Sequence, residues 1–89
     1  MAGNKLGMEI AEVRKLGKSL QSDSDVLTQA AQQITSTLNG TFWKGADAER
    51  FKNEWNSQFQ PKLKQVATAL DEFGQLAGKQ ADEQEKASN

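Results

Sequence analysis

The side chains that could do chemistry in this chain are few. Its 89 residues include no histidine and no cysteine, which removes the commonest general base, thiolate nucleophiles, disulfides and thiolate metal sites. A serine–lysine arrangement, or carboxylate neighbours such as Glu9 with Glu12 and Asp71 with Glu72, would need a pocket to act. These carboxylates alternate with lysines, as on a solvated helix surface, and no metal-ligand spacing occurs. We expect no enzyme, no cofactor and no metal.

Recognition chemistry is concentrated near mid-chain, in segment 39–47, which reads Asn-Gly-Thr-Phe-Trp-Lys-Gly-Ala-Asp. Two glycines and two large aromatics fall together only here. The first helix should end at Asn39–Gly40, with Gly40 in the left-handed conformation that closes many helices. A bend should follow over 40–46, in which Gly45 takes backbone angles closed to other residues.

The first half of the chain has a seven-residue apolar repeat. One row contains Leu6, Val13, Leu20, Leu27 and Ile34, and a second row contains Ile10, Gly17, Ser24, Ala31 and Leu38. Leu16 and Val26 lie beside these rows. The pattern predicts one helix over about 5–39 that packs along its length in the manner of a coiled coil.

The middle of the second row is small, which predicts a close helix–helix approach between Gly17 and Ala31. The alternative is that Gly17 and Ser24 are merely weak points of the helix, since glycine in a helix interior costs roughly 1 kcal/mol relative to alanine. The segment 22–25, Ser-Asp-Ser-Asp, could also act as an N-cap and split the helix. Because the repeat passes through it without a phase slip, we expect one helix.

The second half carries a comparable apolar stripe after Ala46 or Asp47, which should open the second helix. Its members are Phe51, Trp55, Phe59, Leu63, Val66, Leu70, Phe73 and Ala77, spaced by three or four residues. The stripe predicts a helix over about 47–80, bent at Pro61, followed by a frayed, flexible tail over 81–89. The alternative is a helix that ends at Gln60 and a new one that starts at Pro61.

These elements make an all-α antiparallel helix-turn-helix hairpin, and so short a chain encloses little core. Phe42, Trp43, Trp55 and Phe59 should form an aromatic end beside the bend, more than one hairpin needs to bury. Pairing of two hairpins would complete a four-helix bundle. The sequence therefore predicts a dimer.

Charge excludes two other partner classes. The net charge is −1 with both signs interspersed, so neither nucleic acid nor an anionic membrane is an expected partner. Arg14, Lys15 and Lys18 lie close together, but Glu9 and Glu12 dilute them. The apolar runs are too short for a secretory signal peptide or a membrane-inserted helix.

Trp43-Lys44-Gly45, in the bend of a hairpin of this length, resembles the central Trp-X-Gly of the WXG (ESAT-like) proteins, which are substrates of type VII secretion systems. An aromatic six residues after Gly45, at Phe51, and the mid-chain position of the motif add to the resemblance. The resemblance implies a homodimer, or a heterodimer with a related WXG protein, exported folded by the type VII secretion ATPase without a signal peptide after a cytoplasmic stage. Trp43 would contribute to recognition, and Gly45 would permit the bend.

The sequence departs from that family at the export signal. The family usually carries Tyr-x-x-x-Asp/Glu after the second helix, and this chain has no tyrosine. Two hypotheses follow: a type VII secretion substrate or substrate-partner, or a cytosolic, chaperone-like adaptor that binds a larger secreted effector or toxin and is not exported.

Overall fold

The structure, a computed structural model, describes residues 7–88. Helix α1 spans Ile10–Gly40, helix α2 spans Ala46–Glu54, a π-helical turn spans Trp55–Phe59, and helix α3 spans Gln60–Ser88. No strand occurs in these 82 residues, so the predicted all-helical fold class is confirmed. Leu6 and the predicted start of the first helix near residue 5 lie outside the described residues.

Helix α1 differs from the prediction at both ends. Residues 7–9 are not helical, and α1 begins at Ile10 with no side-chain cap from Glu9. At the other end, Gly40 remains helical with a negative φ, so the predicted left-handed closure is wrong. Extended backbone at Thr41 ends the helix instead, and the Thr41 N–H donates to the Leu38 carbonyl oxygen at 3.3 Å.

Helix α1 is not split at segment 22–25. The Ser24 hydroxyl donates a 2.6 Å hydrogen bond to the Ala67 carbonyl oxygen on α3, and Ser24 is buried. Because the Ser24 hydroxyl bonds the backbone of the facing helix, it does not act as the N-cap of a second helix within α1. The predicted single helix is confirmed here.

The path of the second half stays helical through Pro61. Proline removes one backbone donor and crowds the preceding turn. The irregularity lies just upstream, where the Gln60 N–H donates to the Trp55 carbonyl oxygen, five residues back, and makes a wider turn. Gln60 itself has helical angles, so the predicted continuation is confirmed and the alternative break at Gln60 is wrong.

Helices α1 and α3 pack along one another, and the contact partners run in opposite chain directions. The closest approach joins Gly17 and Gly74: a Cβ built on Gly17 would lie 2.7 Å from the Gly74 carbonyl oxygen. The close approach predicted from the small row is therefore confirmed. The assembled helices form a rod with extents of 64 × 17 × 13 Å.

The buried interior of this rod is thin. It consists mainly of small residues, and no large side chain in the described part of the chain is fully buried. The buried positions include Ser24, Ala31, Leu38, Ala48, Trp55, Ala67 and Ala81. Small side chains permit close helix contact but bury little apolar area. Many of the large apolar side chains therefore remain on the surface of the rod.

Helix α3 continues to Ser88, whereas the sequence predicts a frayed tail from residue 81 onward. Ala81 is fully buried, and the Arg14 guanidinium bonds Asp82 and, at 3.1 Å, Glu85. The hydrogen bonds that Arg14 donates, first to Asp82 and then to Glu85, raise the pKa of Arg14 above its usual value. The predicted tail is therefore wrong over 81–88, because a residue 68 positions earlier in the chain secures it.

Candidate functional site

The bend presents an exposed aromatic surface. Phe42 is 88% exposed and Trp43 is 41% exposed. The Trp43 and Phe51 rings meet with centroids 5.8 Å apart at an angle of 54°, a tilted packing that aromatic rings favour. Lys44 Nζ lies 5.7 Å from the centroid of the Phe42 ring. Phe42, Trp43 and Lys44 thus form an amphipathic tip at one end of the rod.

Gly45 fixes the direction in which the chain leaves this tip. Its φ of 122° and ψ of 175° lie in a region that only glycine adopts readily. It is the N-cap of α2, and the Glu49 N–H donates to its carbonyl oxygen at 3.1 Å. Helix α2 therefore begins at Ala46, one residue after the glycine, with Asp47 in its first turn. The special conformation predicted for Gly45 is confirmed.

The two tryptophans occupy different environments. Trp55 is only 7% exposed and packs with Ala31, Leu38 and the partly buried Leu63. Its indole N–H donates a 2.9 Å hydrogen bond to the Thr35 hydroxyl on α1. The predicted aromatic end containing both tryptophans is wrong, because Trp55 belongs to the interior and Phe51 is the ring that contacts Trp43.

The residues predicted for the core or interface divide by exposure. Leu38 and Trp55 are buried. The partly buried members are Ile10, Val13, Leu20, Leu27, Leu63 and Leu70, and the exposed members are Ile34, Phe51, Phe59, Val66 and Phe73. Leu6 lies outside the described residues. The row of small residues, rather than the row of large ones, faces the neighbouring helix.

The exposed apolar residues share one side of the rod. Leu16 precedes the contact residue Gly17 by one position, and Phe73 precedes the contact residue Gly74 by one. In antiparallel helices, equal steps from the contact row turn both side chains to the same side of the pair. Near the bend, Ile34 of α1 and Phe51 of α2 line one hollow of about 380 Å³ and therefore lie on the same side there.

We call this side the apolar face. Eight large side chains on it or at its edge are 41–61% exposed: Leu16, Val26, Ile34, Phe51, Phe59, Val66, Phe73 and Leu76. Three of the eight are aromatic side chains, which cover roughly 150–250 Å² each, and five are smaller aliphatic groups, so at half exposure the eight present on the order of 600 Å². The largest apolar patch on a typical monomer is about 300–600 Å². The apolar face lies at the upper end of that range.

The opposite side of the rod is polar. One hollow there is lined by Arg14, Gln21 and Gly78 among others. A groove of about 480 Å³ lies farther along, and its lining includes the apolar Leu27 and Leu63 and the charged Asp25, Lys64 and Asp71. Both signs of charge line this groove, and residues 7–88 contain no cluster of three metal-ligating side chains. Nor is any helix in this part of the chain long and apolar enough to span a membrane.

Three features of the structure were not predicted from the sequence: the exposure of Leu76, the small contact row of α3, and the π-turn. The α3 row is visible as the seven-residue spacing of Ala67, Gly74 and Ala81, which matches the small row of α1. The π-turn has a signal in the three successive four-residue intervals from Phe51 to Leu63. A regular α-helix has about 3.6 residues per turn, so repeated steps of four drift away from one face unless a wider turn compensates.

No family model, curated protein or solved structure matches this chain.

Proposed function

We propose that the chain is a small, non-enzymatic helical hairpin whose apolar face packs against a second such hairpin to form a four-helix bundle. The observation that carries this proposal is the size of the apolar face. Its surface, on the order of 600 Å², is about three quarters of the roughly 800 Å² per partner of a standard interface. A second copy supplies the same kind of surface, and mutual burial completes a core that one copy lacks.

The aromatic tip supports a role in recognition by secretion machinery. Trp43 lies in the Trp43-Lys44-Gly45 bend that resembles the WXG motif, and its indole contacts Phe51 while remaining partly exposed. Exposed aromatics of this kind are frequent energetic centres of protein interfaces. The proposed role is therefore that of a type VII secretion substrate or substrate-partner, recognised as a folded dimer through the tip.

The chemistry of the chain supports a binding role. Histidine and cysteine are absent from the sequence. The largest groove described above is an open channel with charges of both signs in its lining. Interaction surfaces account for the exposed aromatics better than a reaction does, since aromatic side chains contribute apolar area and shape to a contact.

A second candidate function is that of an adaptor that stays in the cytosol and covers part of a larger effector. The absence of tyrosine favours it, because the Tyr-x-x-x-Asp/Glu pattern of the resembled family cannot be formed from this sequence. The same apolar face would then pack against a helical pair of the effector.

Fractionation of source cells with and without the secretion ATPase separates the two candidates. The secretion hypothesis expects the chain in the medium only when the ATPase is present, and Trp43→Ala should reduce its recovery there. A cytosolic protein serves as the lysis control. Recovery of the chain only from the cytosol in both strains would contradict the secretion hypothesis and favour the adaptor.

A further inference from the structure

An extra residue interrupts the exposed aromatic row of the second half. Phe59, Val66 and Phe73 follow one another at intervals of seven residues, but Phe51 precedes Phe59 by eight. In a regular α-helix the eighth residue would turn Phe51 roughly 100° away from the row, given about 3.6 residues per turn. The π-turn at Trp55–Phe59 lies between them, and Phe51 nevertheless lines the same hollow as Ile34 on the apolar face.

A second, partly buried row of α3 shows the same interruption. Leu63, Leu70 and Ala77 are seven residues apart, whereas Trp55 precedes Leu63 by eight. Trp55 nevertheless points inward, where it is buried and donates to Thr35. A π-turn accommodates one additional residue without disturbing the rows on either side. The same wide turn therefore buries Trp55 and aligns Phe51 with Phe59.

We propose that the π-turn is a register-setting element of the interaction surface. Because of this turn, the apolar face continues without a break to the bend. A second copy that covers Phe59, Val66 and Phe73 therefore also covers Phe51. It covers as well the edge of the Trp43 ring that contacts Phe51. Dimer formation thereby acts on the exposed tip through the contact between the Trp43 and Phe51 rings. The identity of the partner, a second copy of the chain, rests on the proposed function. The alignment of the residue rows by the π-turn rests on the fold alone.

A local origin for the π-turn makes a different prediction. Pro61 lacks a backbone N–H and crowds the carbonyl oxygen four residues earlier, at Ser57, which by itself could widen the turn. Under that account, removal of the proline restores a regular helix and turns Trp55 and Phe51 out of their rows. Under the register account, the contacts of Trp55 with Thr35 and Leu63 hold the π-turn in place without Pro61.

The test compares three variants of the full chain: Pro61→Ala, deletion of Ser57, and insertion of one alanine after Ser57. Ser57 is exposed, and its hydroxyl makes only a local bond to the Asn53 carbonyl oxygen at 2.6 Å. Each variant also carries Trp43→Phe, so that Trp55 is the sole tryptophan. Acrylamide quenching of Trp55 reports the internal register, and sedimentation reports self-association.

Pro61→Ala and the deletion should keep Trp55 protected and self-association within about threefold of the Trp43→Phe parent, because both preserve the rows. The insertion should expose Trp55 and weaken self-association at least tenfold. An exposed Trp55 in Pro61→Ala would overturn the proposal, and so would an insertion variant that associates as well as the parent. A deletion variant that keeps Trp55 protected but loses association would also overturn it.

Failure of the proposed function gives a different signature. A parent protein that is monomeric, but whose Trp55 is protected in Pro61→Ala and the deletion and exposed in the insertion, would refute the second copy as partner and retain the internal register. A parent that self-associates, with Trp55 protected in the insertion variant, would refute the register and leave the dimer intact. The quenching result and the sedimentation result are therefore read separately.

Discussion

The indole N–H of Trp55 donates a 2.9 Å hydrogen bond to the hydroxyl oxygen of Thr35, across the contact between the two halves of the chain. Thr35 also donates to the Ala31 carbonyl oxygen at 3.0 Å, so one hydroxyl connects the indole to the backbone of α1. This relationship marks Trp55 as a structural residue and leaves Trp43 as the tryptophan available to a partner.

Thr35→Val should destabilise the fold by about 1–3 kcal/mol, because it leaves a buried indole N–H without its acceptor. Thr28→Val is the matched control: Thr28 makes the same kind of local bond, to the Ser24 carbonyl oxygen at 3.0 Å, but does not contact a tryptophan across the helices. The control should change stability by less than about 0.5 kcal/mol. Urea unfolding measures both variants, and equal effects would contradict the role given to the Trp55–Thr35 bond.

Substitution of glycine by alanine should have opposite effects at two positions. Gly17→Ala should destabilise by about 1–3 kcal/mol, because the new Cβ would lie 2.7 Å from the Gly74 carbonyl oxygen and force the helices apart. Gly78→Ala should stabilise by about 0.5–1 kcal/mol, because a Cβ there meets no atom within 4 Å. Thermal unfolding of both variants separates the close-contact interpretation of Gly17 from the alternative that Gly17 is merely a weak point of the helix. Under that alternative, both alanine substitutions would stabilise the fold.

Trp43→Ala should leave helix content unchanged while weakening partner binding or export. Its ring contacts Phe51 at the surface and contributes little to the buried interior. Circular dichroism measures the helix content, and Trp55→Ala serves as the contrast, since removing a buried tryptophan costs about 3–5 kcal/mol. A large loss of helix in Trp43→Ala would show that it is a packing residue.

Arg14→Ala should loosen the end of α3 with little change in global stability. Both ion pairs of Arg14 are solvent-exposed, so their contribution is small and is screened by salt. Hydrogen exchange over residues 81–88 should accelerate in Arg14→Ala and, in the native protein, at high salt. Lys15→Ala is the control in the same turn. Unchanged exchange in Arg14→Ala would mean that burial of Ala81 alone holds the segment.

The pH dependence of this contact follows from the same geometry. The pKa of Arg14 is raised by its carboxylate partners, so its contribution is complete below the pKa of the unfolded state and is lost only as pH rises through the still higher folded value. Protection from exchange over 81–88, corrected for the intrinsic acceleration of amide exchange by hydroxide, should therefore not change between neutral and mildly alkaline pH. Salt, rather than alkali, is the variable that tests the contact.

Local patterns predicted the helices and their close contact, because Gly17, Ser24 and Ala31 recur at a fixed spacing that a packed helix requires. They placed Trp43 in the bend and Trp55 in the apolar stripe but grouped both in one aromatic end, because the burial of Trp55 depends on its contacts with Thr35 and Leu63, which form only when the halves pack. Nor could they predict the helical end over 81–88, which depends on Arg14, distant in sequence. Both rows of the first helix were expected to pack along its neighbour, but the small row permits the shorter helix–helix distance, so members of the large row remain partly buried or exposed.

Sedimentation equilibrium of the isolated chain at micromolar concentration tests the central claim most directly. The account predicts a mass twice the 9.8 kDa of one chain, and a monomer for Phe73→Asp, which places a charge on the apolar face at a site 61% exposed in the single chain. Gln75→Asp, at an exposed position two residues away, should remain a dimer. A native chain that sediments as a stable, fully helical monomer would contradict the account.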